Sequence, residues 1–306
     1  MAGPLPREPS SDKALVVGGD GLVGAALREA CGARGLAVAA TSRRAARGAI
    51  PFDLAAPDFA ALEREPYASV FVCAAVTDMR ACQQDPARSR RVNVTSTLEL
   101  MRRLAARGSH LVFLSSSQVF DGEEPLPAED APTNPKNEYG AQKLAVERAI
   151  ADEGLPAAVL RPSKVLAAHP VGMFRTWSEA LRRNQPVEAA SNMTLSPVSV
   201  ADVAEASLGL ARGRHGGIWH LSAEDEIAYD AAARLMAERQ GLPQALVRGR
   251  ALGEAQVPAI YRHRHTALDC RKIAAALGLP IRRARPVLEA LFGRVQDGRV
   301  AAGGGP

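Results

Sequence analysis

Apolar and polar positions change period along this chain in a regular way. Short runs rich in Val, Leu and Ala, of strand length, alternate with stretches whose apolar residues recur every three or four positions. Ala14 to Val17 predicts a first strand and Leu22 to Ala33 a first helix, stopped by Gly32 and Gly35. Leu36 to Ala40, Ala49 to Phe52 and Val70 to Ala75 predict three more strands, followed by one long helix from Pro86 to Arg107. Leu111 to Ser115 reads as the fifth strand, Tyr139 to Glu153 as the next helix and Ala157 to Leu160 as the sixth strand. Strand–helix alternation of this kind predicts an α/β fold, a doubly wound parallel sheet with helices on both faces.

Beyond Pro162 the pattern becomes irregular. Helices are predicted at Gly172 to Arg183, Val200 to Ala211, Tyr229 to Arg239 and Pro286 to Phe292, with strands at Val187 to Ala190 and Gly217 to Leu221. The expected division is a dinucleotide-binding Rossmann domain over 13–162 and a smaller, interleaved, mainly substrate-binding region over 163–295. Within the latter, 195–212 is expected to pack back on the first domain. A Pro- and Ser-rich lead-in, 1–12, and a tail, 296–306, closing on Gly-Gly-Gly-Pro, are expected to be disordered.

Composition narrows the function classes. The 306 residues are 47% apolar with few aromatics, so the core is expected to be mostly Ala, Leu and Val. The net charge of +5 comes from 38 basic against 33 acidic residues. The arginines are dispersed and not interleaved with aromatics, which argues against a nucleic-acid partner and suits an enzyme handling anionic small molecules. No apolar run approaches the ~18 residues of a membrane span, and no basic-then-apolar signal opens the chain, so a cytoplasmic protein is expected. Cys31, Cys73, Cys82 and Cys270 lack metal-site spacing and read as reduced thiols; no metal is expected.

Three stretches carry candidate chemistry. The turn Gly18-Gly-Asp-Gly21-Leu22-Val23-Gly24 directly follows the first strand and opens the first helix, where a dinucleotide pyrophosphate would rest on helical N–H groups. At the end of strand two, Thr41-Ser42-Arg43-Arg44 stands where an acidic residue would hold a ribose 2′-hydroxyl. Two guanidiniums and two hydroxyls suit a 2′-phosphate, favouring NADP(H) over NAD(H); a solvated basic turn is the alternative. Asp53-Leu54 either meets the adenine edge or caps the next segment.

The third stretch runs from Leu111 to Lys143. A buried-strand run delivers Ser115-Ser116-Ser117 at its carboxyl end, and the following helix carries Tyr139 and Lys143 one turn apart on one face. A free tyrosine has a pKa of about 10. A lysine cation beside it is expected to favour the phenolate and lower that value, towards the range useful for proton transfer to a carbonyl oxygen.

With these residues in hand, the sequence resembles the extended short-chain dehydrogenases/reductases of the NAD-dependent epimerase/dehydratase superfamily, most closely the dTDP-4-dehydrorhamnose reductase branch. The likeness is carried by the three glycines, by Ser115-Ser-Ser-Gln-Val-Phe-Asp-Gly122, by Tyr139-Gly-Ala-Gln-Lys143 and by Leu160-Arg-Pro162. Ser196 to Val203 and Leu268 to Gly278 extend it over nearly the whole chain. The resemblance implies Ser116, Tyr139 and Lys143 as the catalytic set: Tyr139 as proton donor in reduction, Lys143 binding the nicotinamide ribose and tuning the phenol. It further implies nucleotide contacts at Ala74-Ala75-Val76 and Ser115, and a structurally important asparagine at Asn93. Substrate contacts are implied at Ser117, Gln118 and a late arginine, Arg262 or Arg264, in the basic cluster Tyr261 to His265, at least half of which is expected to be solvated loop. The implied activity is reduction of a nucleotide-linked keto sugar by a homodimer.

Three departures limit what the resemblance carries over. Ser117-Gln118 replaces the acidic pair of the dehydratases, which argues against a 4,6-dehydratase, and Cys73 stands where many relatives have Asn. Lys164 occupies a position where relatives often present Trp or Asn to the sugar. Either it meets an anionic group, implying a substrate more acidic than a plain deoxysugar, or its stem packs while its head reaches water. Two other functions use the same residues or the same branch: a nucleotide-sugar epimerase, and a non-catalytic NADP-binding regulatory subunit.

Overall fold

The computed structural model describes residues 12–44, 48–167, 172–253 and 255–293, so the expected lead-in, apart from Asp12, and the expected tail lie outside the described residues. The chain enters through β1 (Ala14–Val17), turns into α1 (Leu22–Ala33) and continues as β2 (Val38–Ser42) and β3 (Ile50–Pro51). β4 (Ser69–Val72) leads through α2 (Met79–Gln84) and α3 (Pro86–Arg90) into a π-helical segment, Arg91–Ser96, which runs on as α4 (Thr97–Ala106). β5 (His110–Leu114), α5 (Glu138–Asp152) and β6 (Ala157–Pro162) follow. Then come β7 (Lys164–Leu166), α6 (Gly172–Arg182), β8 (Val187–Ala190), β9 (Thr194–Leu195), β10 (Pro197–Ser199) and α7 (Val200–Arg212). The last are β11 (Gly217–Leu221), β12 (Ile227–Ala228), α8 (Tyr229–Arg239), β13 (Val247–Arg250), α9 (Arg271–Leu277) and α10 (Ala284–Phe292).

Seven parallel strands form the central sheet in the order β11-β6-β5-β4-β1-β2-β3. Because β2 and β3 lie on one side of β1 and β4 on the other, strand order reverses there, and the sheet opens a crevice at the carboxyl ends of β1 and β4. Period-two alternation splits each strand between two layers. Leu15, Val17, Val70, Val72, Leu111 and Phe113 pack with α4 and α5 through Leu100, Met101, Leu104 and Ile150. Val16, Val112, Leu114 and Leu160 pack on the opposite face with Leu27 of α1 and Val203 and Leu208 of α7. A separate apolar cluster joins α6, α8 and α10 through Phe174, Trp177, Met236 and Leu288. α7 packs against α1 and β11 is an edge strand of the main sheet, although both follow the irregular segment after Pro162.

Four expectations are corrected. β2 starts two residues later than predicted because Leu36 belongs to the end of α1: Gly35 adopts φ +66 and the Leu36 amide closes on the Cys31 carbonyl at 3.0 Å, a Schellman-type stop. β4 ends at Val72, not Ala75, since the amides of Cys73 and Ala74 both donate to the Val17 carbonyl, at 3.0 and 2.9 Å. The predicted single helix from Pro86 to Arg107 is interrupted by the π-helical segment around Asn93. α2, β7 and α9 had no counterpart in the periodicity, being three to seven residues long. Among the described residues no helix is long and apolar enough to cross a membrane.

Candidate active site

The glycine turn sits at the crevice, and its glycines are there for different reasons. A Cβ on Gly24 would lie 2.1 Å from the Gly18 carbonyl oxygen, and one on Gly18, which holds φ +90, 2.9 Å from the Ala74 amide. The turn is therefore pressed between α1 and the end of β4, and only glycine permits it. Gly21 occupies the N-cap position of α1 with no side-chain cap and no acidic residue in the first turn. The amides of Leu22, Val23 and Gly24 thus open a helix N-terminus left for an anion, and a dinucleotide pyrophosphate fits this cradle.

The expected 2′-phosphate set is divided by the fold. Thr41 and Ser42 are buried strand residues. Thr41 Oγ1 accepts from the Gly18 amide at 2.9 Å, and the Ser42 hydroxyl donates to the Asp20 carboxylate while accepting from the Arg44 amide. Ser42 is therefore committed to the turn and is corrected as a phosphate ligand. Arg43 and Arg44 remain exposed at the rim. Asp53 accepts from the Ala55 amide at 2.9 Å and so closes a turn, whereas the next helical segment, Phe59–Ala61, is capped by Asp58, which corrects the capping alternative; the Leu54 side chain lies in the core. Ala74, Ala75 and Val76 are half-buried at the end of β4. Asn93 grips both backbone groups of Val76, accepting from its amide at 2.7 Å and donating to its carbonyl at 3.0 Å, and donates to Gln142 of α5 at 2.7 Å.

At the neighbouring end of β5, α5 is brought in closely. Asn137 caps it, accepting from the Gly140 amide at 2.9 Å, and donates to Gln118 Oε1 at 2.9 Å and the Ile260 carbonyl at 3.2 Å. A Cβ on Gly140 would stand 2.0 Å from the Gln118 carbonyl oxygen, so this glycine lets the helix abut the loop. The consequence is that the Tyr139 phenol is set beside the Ser116 hydroxyl, which favours the phenolate. Gln118 is held by Asn137, and Ser117 lies beside it with both side chains half-buried.

Lys143 is buried and does not act on Tyr139 as expected. Its Nζ donates to the Leu114 carbonyl at 2.6 Å and stands 4.6 Å over the Phe113 ring, against 5.8 Å from the centre of the Tyr139 ring. Burial pushes the Tyr139 phenol up to about 12, with the neighbouring Ser116 hydroxyl opposing it. The same burial pulls Lys143 down to about 8. The phenol is therefore protonated at neutral pH. Ser115 is also corrected: its hydroxyl turns away from the cleft and donates to Glu147, one turn beyond Lys143. Glu147 forms a buried ion pair with Arg161, 2.6 Å at the closest atoms, and Arg161 Nη1 lies 3.2 Å from His220 Nε2. In the sequence Arg161 stands out only within Leu160-Arg-Pro162, and Glu147 only as a carboxylate at the same four-residue step as Tyr139 and Lys143.

On the other side of the cleft, Arg262 is half-buried and lines an open cavity of about 350 Å³ with Lys136, Arg264 and Glu123. Lys136 is paired with Glu123. The Tyr261 to His265 cluster is less solvated than expected: only Arg264 is exposed, His263 is buried, and His265 Nδ1 lies 3.2 Å from Glu226, brought in from β12's approach. Among the described residues no group of side chains has the make-up of a metal site. Lys164 lies just past the end of β6 with an exposed side chain, and no acidic partner pairs with it among the described residues. Its surroundings nonetheless hold its pKa below the usual lysine range by desolvation.

Fold and residue set together define a class, the NAD(P)-dependent oxidoreductases of the short-chain dehydrogenase/reductase type. The chain matches the RmlD substrate binding domain over residues 12–296 and belongs to that family. It is 34% identical over 231 residues to a dTDP-4-dehydrorhamnose reductase of Mycobacterium tuberculosis, covering 72% of this chain and 74% of that one. Among solved structures it is similar to MoeE5 in complex with UDP-glucose and NAD, with TM-score 0.78 and 26% identity over 92% of this chain and 97% of that one. The NADP complex of the Bacillus anthracis dTDP-4-dehydrorhamnose reductase has TM-score 0.80 over 92% and 99% of the two chains, and at 18% identity it shares the fold.

Proposed function

We propose that this protein is an NADPH-dependent reductase of the carbonyl of a nucleotide-linked keto sugar, with Tyr139 delivering the proton. The observation that carries this is the placing of Tyr139 beside Ser116 past the carboxyl end of β5, with Lys143 anchored on the Leu114 carbonyl one helical turn away. The nicotinamide, when bound, supplies the hydride. Tyr139, protonated until about pH 12, is in the donor state at neutral pH. Ser116 polarises the carbonyl oxygen that receives the proton and eases the phenolate left behind, while Lys143, anchored on the Leu114 carbonyl, serves the nicotinamide ribose.

The preference for NADPH rests on Arg43 and Arg44, exposed at the end of β2. Arg262 and its cationic neighbours suit the diphosphate of a nucleotide sugar, with Ser117 and Gln118 nearer the sugar. Lys164, exposed and unpaired, suits an anionic group on that sugar. A homodimer is the expected assembly, which light scattering of the purified protein would test.

The deciding experiment is NADPH oxidation against a panel of neutral and acidic nucleotide-linked 4-keto sugars, with Tyr139→Phe as control. Turnover lost in the variant supports the reductase. Tight NADPH binding with no panel member consumed sinks it, and favours an epimerase that retains its cofactor or a regulatory subunit.

A further inference from the structure

We propose that Glu147 is a positioning residue of this site: through Ser115 and Arg161 it fixes the strand end 114–116 against which Lys143 and Tyr139 are set. Three successive turns of α5 engage three successive residues of that strand end. Tyr139 meets the Ser116 hydroxyl, Lys143 donates to the Leu114 carbonyl at 2.6 Å, and Glu147 accepts from the Ser115 hydroxyl. The first two contacts are made by residues assigned to the reaction. The third belongs to a side chain too deep to touch a substrate, since Glu147, Ser115 and Arg161 are all buried.

Glu147 is itself held from the far side. Arg161 of β6 donates to it through Nε, at 3.1 Å to both oxygens, and through Nη2 at 2.6 Å. The guanidinium is fixed in turn by the Glu129 carbonyl at 3.4 Å, by His220 of β11 and by the Phe120 ring, 5.1 Å from its carbon. A fork held on this many sides has one orientation, so the carboxylate is a rigid stop for Ser115. The stop is then transmitted one residue each way along the strand, to the Lys143 anchor and to the Tyr139 partner.

Glu147 also faces Lys143 with charge. The groups around that ammonium are the Leu114 carbonyl and Phe113 ring of β5, Tyr139 and Glu147 on its own helix, Cys73 after β4 and Cys82 of α2. Burial pushes the Cys73 thiol up to about 12 and raises that of Cys82, so both are neutral at working pH. Glu147 is the anion that keeps Lys143 cationic against its own desolvation.

This inference rests on the reading that Lys143 faces the nicotinamide ribose, and its test uses coenzyme binding alone, so it stands apart from whether any sugar is reduced. NADPH fluorescence titrations between about pH 6 and about pH 9.5 would compare wild type with Glu147→Gln, which keeps the shape and removes the charge. The alkaline loss of binding should move down by about one pH unit in the variant. A limb that stays where it was overturns the proposal. Ser115→Ala, a small change that removes only the hydroxyl link, should weaken NADPH binding about threefold at every pH in a protein that stays folded, with a melting temperature lowered by a few degrees. Native affinity in Ser115→Ala overturns the positioning role, and this variant decides the matter if Glu147→Gln does not fold. Binding with the expected limbs but no turnover would reject the reductase and leave this inference supported.

Discussion

The glycine-turn side of the cleft is walled by backbone. Gly18 and Gly24 lie so close to neighbouring main chain that a single methyl would collide, and Asn93 ties down the Val76 amide and carbonyl opposite. Beneath it, Glu147, Arg161 and Ser115 satisfy one another away from water. The Arg262 side is walled by long charged side chains around an open cavity, with Lys164 left exposed beyond β6. A dry wall of short, partnered groups can hold one invariant ligand part in one pose. A wet wall rich in cations selects by charge and tolerates variation in shape. On the proposed function the two sides divide the work, one for the part common to all turnovers and one for choosing the substrate.

Substitutions can break that division, and the largest effect belongs where the two sides meet. Tyr139→Phe should lower kcat by about a thousandfold while NADPH still binds, measured by steady-state oxidation and fluorescence titration. Gly24→Ala should cost about 2–3 kcal/mol, because the methyl meets a carbonyl that cannot swing aside. Its loss should appear in melting temperature and NADPH affinity together; an unchanged pair would mean the turn is not the rigid wall described.

His220 sharpens the contrast through pH. Burial and the Arg161 cation hold its pKa down at about 3, so the native imidazole is neutral where the unfolded chain takes up a proton. Its contribution to stability is complete above the ordinary histidine value of about 6.5 and falls as pH drops from there through 3, with a slope approaching about 1.4 kcal/mol per pH unit. Urea unfolding at about pH 7.5 and about pH 5 should show a smaller acid loss for His220→Gln than for wild type. An equal loss would place the acid sensitivity elsewhere. The mildest change is expected on the open side: Lys164→Met should raise KM for an acidic keto sugar about tenfold and leave a neutral one unaffected. Equal KM values for both in the variant and wild type would remove Lys164 from substrate choice.

What the sequence determined by itself is what depends on neighbours in the chain. The strand–turn–helix at Gly18 to Gly24, the one-turn spacing of Tyr139 and Lys143, and five elements predicted to the residue, among them β8, β11 and α8, follow from local periodicity and glycine stereochemistry. Tertiary structure decided what depends on distant groups. Ser42 was turned to Asp20, 22 residues away, and Ser115 to Glu147, 32 residues away, taking both hydroxyls out of the roles their positions implied. It reversed the expected shift of Tyr139, because desolvation sums over everything packed around the phenol whereas helical spacing reports only one lysine. It also assembled Glu147, Arg161 and His220 from three elements. Backbone geometry is written in short stretches of sequence, while burial and side-chain pairing exist only once the sheet has brought its strands together.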